Sequence, residues 1–383
     1  MNRKNSVAAP PRIIISGGGT GGHIVPAISI ANAVRERWPD ADILFVGAEN
    51  RMEMERVPAA GYRIIGLPVA GFNRRSILKN IPVAIRLLQS MRRARLIVRD
   101  FKPDIAVGVG GYASGPTLRA ASRMGVLTLL QEQNSYAGVT NKMLAKNASK
   151  ICVAYHGMEK FFPKERIVLT GNPCRQDLVV SEENRTAGYD FFGIDPTKKT
   201  ILMVGGSLGA RTLNNSIVAA FPKLSRAGDV QVIWQCGSYY YREMQRLQQE
   251  GRIPANVHLT DFVSRMDYAY SVADLVISRA GAGSISEFCL LGKAVILVPS
   301  PNVAEDHQTR NAEALVGKEA AVMVPDAVAS QSLFDRALEL VRDEARLNLL
   351  SSHITTLAQH DSAQRIVDEM EKLLMGKGVV MHR

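Results

Sequence analysis

At 383 residues, with 46% hydrophobic and 22% charged residues, the chain is long enough for two ordinary soluble domains, each with its own core. No run approaches 18 consecutive apolar residues, which excludes a spanning helix, and the polar first eleven residues lack the apolar core of a signal peptide, so a cytosolic chain is expected. The net charge of +11 calls for an anionic partner, and the four scattered cysteines (Cys152, Cys174, Cys236, Cys289) exclude a disulfide frame or a C-x-x-C metal site.

The chain opens on Ile13-Ile14-Ile15-Ser16, a buried strand by its β-branched run, and passes into Gly17-Gly18-Gly19-Thr20-Gly21-Gly22-His23. A helix is predicted from Pro26 through Val34, with Ala27, Ile30 and Val34 on one face. Strand, glycine loop and helix form a phosphate-handling device, because loop amides and the free N–H groups of the helix point at an anion. Gly17, Gly19 and Gly22 fit G-x-G-x-x-G, a match that also suits a tight turn without a ligand. No Lys-Ser/Thr pair follows, so this is not a Walker A loop. His23 stands at the helix mouth, where the positive helix end disfavours its charged form and suits a neutral base.

Further strands are predicted at 43–46, 64–67, 105–109, 127–130 and 151–153. Their apolar character without strict alternation suggests a parallel sheet covered on both faces. The only D-x-D, Asp40-Ala41-Asp42, precedes a strand, at the wrong sheet edge for a metal site. From Phe72 to Lys102 there are nine Lys/Arg against one acid, a net of eight of the eleven charges. At 100° per residue, Val83, Leu87, Met91, Ala94 and Val98 share a stripe assigned to the core. Opposite lie Ile81, Ile85 and Leu88 with Arg92, Arg95 and Arg99, a combination that suits an anionic bilayer surface as well as a solvated face. The segment has no interleaved aromatics for stacking, so nucleic acid is not an expected partner.

Polar residues 181–190 read as a linker and a surface helix, after which the opening pattern returns: Thr200–Val204, then Gly205-Gly206-Ser207-Leu208-Gly209-Ala210, then a helix from Arg211. Strands follow at 230–234, 257–259, 275–277 and 294–298, and an amphipathic helix closes the chain. The repeat predicts an α/β chain of two Rossmann-like, doubly wound parallel-sheet domains facing a cleft: 1–172, and 173–360, with a helix at about 361–376 packing back on the first. Ligands of such sheets gather outside the carboxyl ends of the strands. The loops there carry Gly110-Gly111-Tyr112, Glu132-Gln133-Asn134, Asn172-Pro173-Cys174-Arg175, Ser207 and the turn from Arg279 to Glu287. Glu287, one helical turn in, suits a ribose diol or a plain dipole-complementing acid.

Together these motifs resemble the MurG family of N-acetylglucosaminyltransferases, which convert lipid I to lipid II in peptidoglycan synthesis. The resemblance rests on Gly18–His23, Gly110–Tyr112, Glu132–Asn134, Gly171–Arg175, Gly205–Ala210, Ser284–Glu287 and Asp306-His307-Gln308 with Asn311-Ala312, in the correct order over about residues 12–370. It implies the GT-B architecture, with UDP-GlcNAc as donor, held mainly by the C-terminal domain, and lipid I as acceptor. Carried onto this sequence, it implies that Ser207 and the amides of Ala282, Gly283 and Ser284 hold the diphosphate. The donor segment continues through Ile285 and Ser286 to Glu287, which takes the ribose hydroxyls. Val263 borders the uracil through its backbone, Arg175 lies near the nucleotide, and Asn134 and Gln308 contact the GlcNAc hydroxyls. Thr20, Gly21 and Gly22 close over the reaction centre, His23 is the candidate base, and Gly18, Gly19, Gly110, Gly111 and Tyr112 position the acceptor.

Two residues depart from the family pattern. Gln131 replaces a histidine common before Glu-Gln-Asn, which puts any acid–base duty there in doubt, and Leu208 replaces a frequent glutamine. The implied reaction inverts the anomeric carbon to a β-1,4 linkage without a metal or other cofactor. It places the chain peripherally on the cytoplasmic side of the inner membrane, among other cell-wall synthesis proteins. The alternatives are another UDP-sugar transferase of the same fold, a sugar-nucleotide epimerase, or an NAD-binding oxidoreductase with Glu49 on a ribose; the second glycine loop and Glu287 disfavour the last.

Overall fold

Runs of Ile, Val and Leu with helical segments between them fold into two separate parallel sheets. The computed structural model describes residues 10–19, 21–69, 81–174 and 178–378, without the side chains of Ile81, Pro82, Ala84 and Ala304. The chain divides into a first unit, Met1–Cys174 with Gln359–Arg383, and a second, Arg175–Ala358.

The first unit runs β1 (Arg12–Ser16), α1 (Gly21–Arg37), β2 (Asp42–Ala48), α2 (Glu53–Ala59), β3 (Arg63–Leu67) and α3 (Ile81–Phe101). It continues with β4 (Ile105–Gly108), α4 (Ser114–Arg123), β5 (Leu127–Glu132), α5 (Val139–Leu144), β6 (Lys150–Val153) and β7 (Ile167–Leu169). All seven strands are parallel, in the order β3-β2-β1-β4-β5-β6-β7. Ile14 pairs with Leu44 on one side and Ala106 on the other, so the chain leaves β1 and β4 in opposite directions and opens a crevice at their carboxyl ends. Ile13, Ile15, Phe45 and Val107 pack under α1, while Ile14, Leu44, Val46 and Ala106 pack under α3 and α4. Burial on both faces explains the continuous apolar runs.

The second unit runs α6 (Glu182–Phe192), β8 (Lys199–Val204), α7 (Arg211–Leu224), β9 (Val230–Gln235), α8 (Tyr241–Gln249), β10 (Val257–Thr260) and α9 (Met266–Val272). Then come β11 (Leu275–Ser278), α10 (Ala282–Leu291), β12 (Val295–Leu297), α11 (His307–Val316), β13 (Val322–Met323), α12 (Ala329–Arg342) and α13 (Glu344–Thr355). Its order, β10-β9-β8-β11-β12-β13, is again all parallel, with the switch between β8 and β11. The last helix, α14 (Ser362–Gly376), belongs to the first unit. Its Ile366, Val367, Met370 and Leu374 join the core under α1, and Arg37 bonds Asp368 at 2.7 Å.

Two expectations need correction, and two short strands escaped the sequence reading. Helix α1 begins at Gly21, five residues before Pro26, because the N–H groups of a first turn need no partner within the helix and exposed glycines can supply them. Strands β7 and β13, three and two residues long, were too short to show a pattern. In α3 the core side is Ser90, Ala94, Ile97, Val98 and Phe101, whereas Leu87, assigned to the core, is 45% exposed. Periodicity says which residues share a face; it cannot say where along a helix the covering layer stops. Ile85 and Leu88 are exposed as expected, as are Arg92, Arg95 and Arg99, while the side chain of Ile81 lies outside the described residues.

Candidate active site

In the first unit the site is built where β1 and β4 end. Gly18 and Gly19 take φ of +147° and +88°, and Gly110 and Gly111 of +94° and +84°, conformations that side chains rarely adopt. The two loops also pack backbone to backbone: a Cβ on Gly111 would lie 2.4 Å from the Gly18 carbonyl oxygen. A Cβ on Gly110 would lie 2.9 Å from His23 Nε2, so the second loop is glycine where the imidazole rests on it. Gly21 and Gly22 form the exposed first turn of α1, and half-buried His23 follows on the same turn. Thr20 lies outside the described residues. Tyr112, 55% exposed, stands just beyond the second loop.

Buried polar side chains hold the neighbouring loop after β5. Gln131 is fully buried; its Nε2 donates to Asn172 Oδ1 at 3.0 Å, and its Oε1 accepts from Gln133 Nε2. Gln133 Nε2 also donates to the Val109 carbonyl at 2.8 Å, and Asn172 Nδ2 donates to the Gln133 carbonyl at 3.0 Å. Gln131 and Gln133 together tie the loops after β4, β5 and β7 to one another through their side-chain amides. The buried Glu132 carboxylate accepts from the Asn134 amide at 3.1 Å, Asn134 Nδ2 at 3.2 Å, the Gly138 amide at 3.0 Å and Asn141 Nδ2 at 2.9 Å. Asn134 is thus held at the sheet edge by its neighbour's acid.

In the second unit, Gly206 and Gly209 both have φ of +84° in the loop after β8. That loop is pinned by close approach, since a Cβ on Gly209 would lie 2.0 Å from the Cys236 carbonyl oxygen. Asn214 of α7 donates to that same carbonyl at 2.9 Å and accepts from Trp234 Nε1 at 2.9 Å. Ser207 is left exposed at the tip. Next along the edge, α10 begins at Ala282 after a glycine N-cap, with no acid in its first turn, and among the described residues a Cβ on Gly283 would meet nothing within 4 Å. Such a helix mouth favours an anion.

Glu287 sits about 1.4 turns into α10, and its Oε2 accepts from Tyr270 OH at 3.1 Å. Ser286 Oγ donates back to the Ala282 carbonyl at 3.0 Å. Gln308, in the first turn of α11, accepts from the Ser300 amide at 2.8 Å through Oε1. Buried Asn311 of α11 donates to the Ala280 carbonyl at 3.3 Å, and Arg279 is committed to the Val298 carbonyl at 3.0 Å and to Asp326. Val263 is buried, so only its backbone can meet a ligand. The side chain of Ile285 is in the core, and its amide donates to the Gly281 carbonyl at 3.0 Å. Arg175 lies outside the described residues.

The N-terminal domain model of glycosyltransferase family 28 matches residues 13–153, and the C-terminal domain model of the same family matches residues 200–366. The chain belongs to glycosyltransferase family 28. Within the family it is 64% identical over 364 residues, 95% of this chain and 98% of the other, to the UDP-N-acetylglucosamine--N-acetylmuramyl-(pentapeptide) pyrophosphoryl-undecaprenol N-acetylglucosamine transferase of Parabacteroides distasonis. A protein of the same name from Bacteroides fragilis is 59% identical over 373 residues, 97% of this chain and 98% of its own. Among solved structures, the MurG of Acinetobacter baumannii superposes with a TM-score of 0.76 at 26% identity, covering 95% of this chain and all of that one. The family 28 chain is accordingly a glycosyltransferase with the two α/β units of the GT-B class.

Glu53 carries no signal that sequence reading could have found. It is 1% exposed at the start of α2, and its carboxylate accepts from the Gly19 amide at 3.0 and 3.1 Å and the Ala48 amide at 2.9 Å. The first glycine loop of this family 28 chain therefore already carries an anion of its own. Asp42 of the D-x-D lies at the opposite, amino-terminal sheet edge, paired with Arg12 at 3.3 Å and with Arg63.

Proposed function

We propose that the chain transfers N-acetylglucosamine from UDP-GlcNAc to the C4 hydroxyl of the MurNAc of lipid I, with inversion to a β-1,4 linkage, giving lipid II. The near-full-length likeness to transferases whose names carry that donor and acceptor is the observation on which the reading rests. The donor belongs to the second unit: the N-terminus of α10, with no acid in its first turn, and the Ser207 loop receive the diphosphate, and Glu287 takes the ribose hydroxyls. Gln308 has one end on Ser300 and offers its Nε2 to the sugar.

The acceptor belongs to the first unit. As the 4-hydroxyl oxygen bonds the anomeric carbon, its proton passes to His23, and the bond to the diphosphate breaks with its electron pair leaving on UDP. A positioned base contributes about 10²–10⁴-fold, and fixed donors aimed at the growing charge supply a further electrostatic term. The helix amides supply that stabilisation, and no metal or other cofactor enters the reading.

A lipid-linked acceptor also fits the exposed face of α3, where Ile85, Leu87, Leu88 and Leu96 lie among Arg86, Arg92 and Arg95. Not every arginine there is free to face lipid, since Arg93 bonds Glu49 at 2.6 Å and Arg99 bonds Asp100 at 2.8 Å. Among the described residues no helix is long and apolar enough to cross a membrane. The reading is peripheral attachment to an anionic surface, on the cytoplasmic side of the inner membrane. Transfer of radiolabelled GlcNAc from UDP-GlcNAc to a lipid I analogue tests the activity; no transfer, or equal use of UDP-glucose, sinks it. Vesicle binding that ignores anionic lipid content and salt sinks the membrane part.

A further inference from the structure

The buried acid under the first glycine loop is not part of the reaction described above, and its surroundings are shaped around it. A Cβ on Gly18 would lie 2.1 Å from Glu53 Oε1, and a Cβ on Gly47 of β2 would lie 2.7 Å from Glu53 Cγ. Two glycines thus make room for one side chain, from the loop on one side and the strand on the other. Both carboxylate oxygens face the Gly19 amide and Oε1 also takes the Ala48 amide, so the acid ties the glycine loop to the end of β2. No Lys or Arg pairs with Glu53 among the described residues; its partners are backbone amides alone. A carboxylate is an acceptor at both oxygens, and charge-assisted bonds to amides are about twice as strong as neutral ones. An amide side chain of the same size has one donor end, which would face an N–H.

We propose that Glu53 is the positioning residue of the first glycine loop: its carboxylate takes the loop amide that a phosphate would otherwise occupy, and so fixes the loop and the His23 that follows it. Glu53 touches no reacting atom. It acts on the geometry at His23, and misplacement by about 1 Å costs roughly a hundredfold in rate. Reading this effect in kinetics rests on the transferase assignment above, and wild-type turnover measured alongside separates the two: a wild type that fails to transfer GlcNAc overturns the function, not the role of Glu53.

The test is steady-state kinetics of Glu53→Gln with UDP-GlcNAc and a lipid I analogue, together with UDP binding by thermal shift. The expected result is a kcat lower by about ten- to a hundredfold, with KM for UDP-GlcNAc and the UDP-induced shift within about threefold of wild type. Gly47→Ala, which presses on the Glu53 stem from β2 without altering the loop's own sequence, should reproduce the same split. Wild-type kcat in a folded Glu53→Gln protein overturns the proposal. So does a rise in KM for UDP-GlcNAc that matches the loss in kcat, or failure of both variants to fold, which would make Glu53 a folding residue only.

Discussion

In the first unit, the loop after β1 has its Gly19 amide filled by the Glu53 carboxylate, and the helix behind it presents His23. In the second, Gly209 is wedged on the Cys236 carbonyl, Ser207 is exposed, and α10 starts from a glycine N-cap with no acid in its first turn. One supersecondary unit thus serves two electrostatic purposes. Where a buried carboxylate takes a loop amide the loop becomes a platform for a side chain, and the N-terminus of α10, with no acid in its first turn, keeps the dipole that favours an anion. A glycine loop before a helix is therefore only permissive. What lies beneath it decides whether it binds phosphate.

The sharpest way to break this division is His23→Ala. It removes the proposed base from the first loop and leaves the second untouched, so kcat should fall by about 10²–10⁴-fold while KM for UDP-GlcNAc stays within a few-fold. Stopped assays over a range of UDP-GlcNAc concentrations read both numbers, and a nearly normal kcat would remove His23 as base. Next comes a matched pair of glycine substitutions. Gly209→Ala sets a Cβ 2.0 Å from the Cys236 carbonyl oxygen at a φ of +84°, and Gly111→Ala sets one 2.4 Å from the Gly18 carbonyl oxygen at the same φ. The former should weaken UDP binding by about a hundredfold and the latter should lower kcat by a similar factor at unchanged UDP affinity, the scale of a 1 Å displacement. Isothermal titration with UDP distinguishes them; equal loss of affinity in both would end the division of labour.

The sheets themselves were legible because both faces of these strands are covered, so Ile13–Ile15, Ile105–Val107 and Ile201–Val204 read as continuous apolar runs. The glycine loops were legible because positive φ and close backbone approach leave few other choices, as at Gly111 and Gly209. Glu53 and Gln131 were not, since each works through a fold-dependent approach across dozens of residues, from Glu53 to Gly19 and from Gln131 to Asn172. A buried acid within Arg51-Met52-Glu53-Met54-Glu55 looks no different in sequence from the exposed acid two residues on. Leu87 failed for a related reason: its 45% exposure depends on what packs against α3, which helical periodicity does not carry.

A finer test within the second unit is Glu287→Gln. Charge-assisted bonds to ribose hydroxyls contribute about 1.5–3 kcal/mol, so KM for UDP-GlcNAc should rise about tenfold or more with kcat changed little. The hydroxyl of Tyr270, 3.1 Å from Glu287 Oε2, orients the acid, and Tyr270→Phe should produce a smaller rise of the same kind. A variant in which kcat alone falls would place Glu287 in the chemistry rather than on the nucleotide.

The smallest effect concerns stability and sets the two units apart by pH. In the second unit burial lowers the Lys293 ammonium from 10.5 to about 8, opposed by Asp274 and aided by Arg185. Between those values the unfolded chain holds a proton that the folded chain has released, so this group makes stability rise with pH from about 8 upward. Burial pushes the thiols of Cys152, Cys236 and Cys289 from 9.0 to about 12. There the folded chain keeps protons that the unfolded one loses, so each cysteine makes stability fall from pH 9 upward. Cys152 lies in the first unit while Lys293, Cys236 and Cys289 lie in the second, so only the second carries both signs. Urea denaturation at intervals from pH 7.5 to 10 should show the second unit gaining stability up to about pH 9 and losing it beyond, while the first only loses. Lys293→Met should abolish the gain and leave the loss; a gain that survives the substitution would mean that another buried cation, and not Lys293, releases the proton.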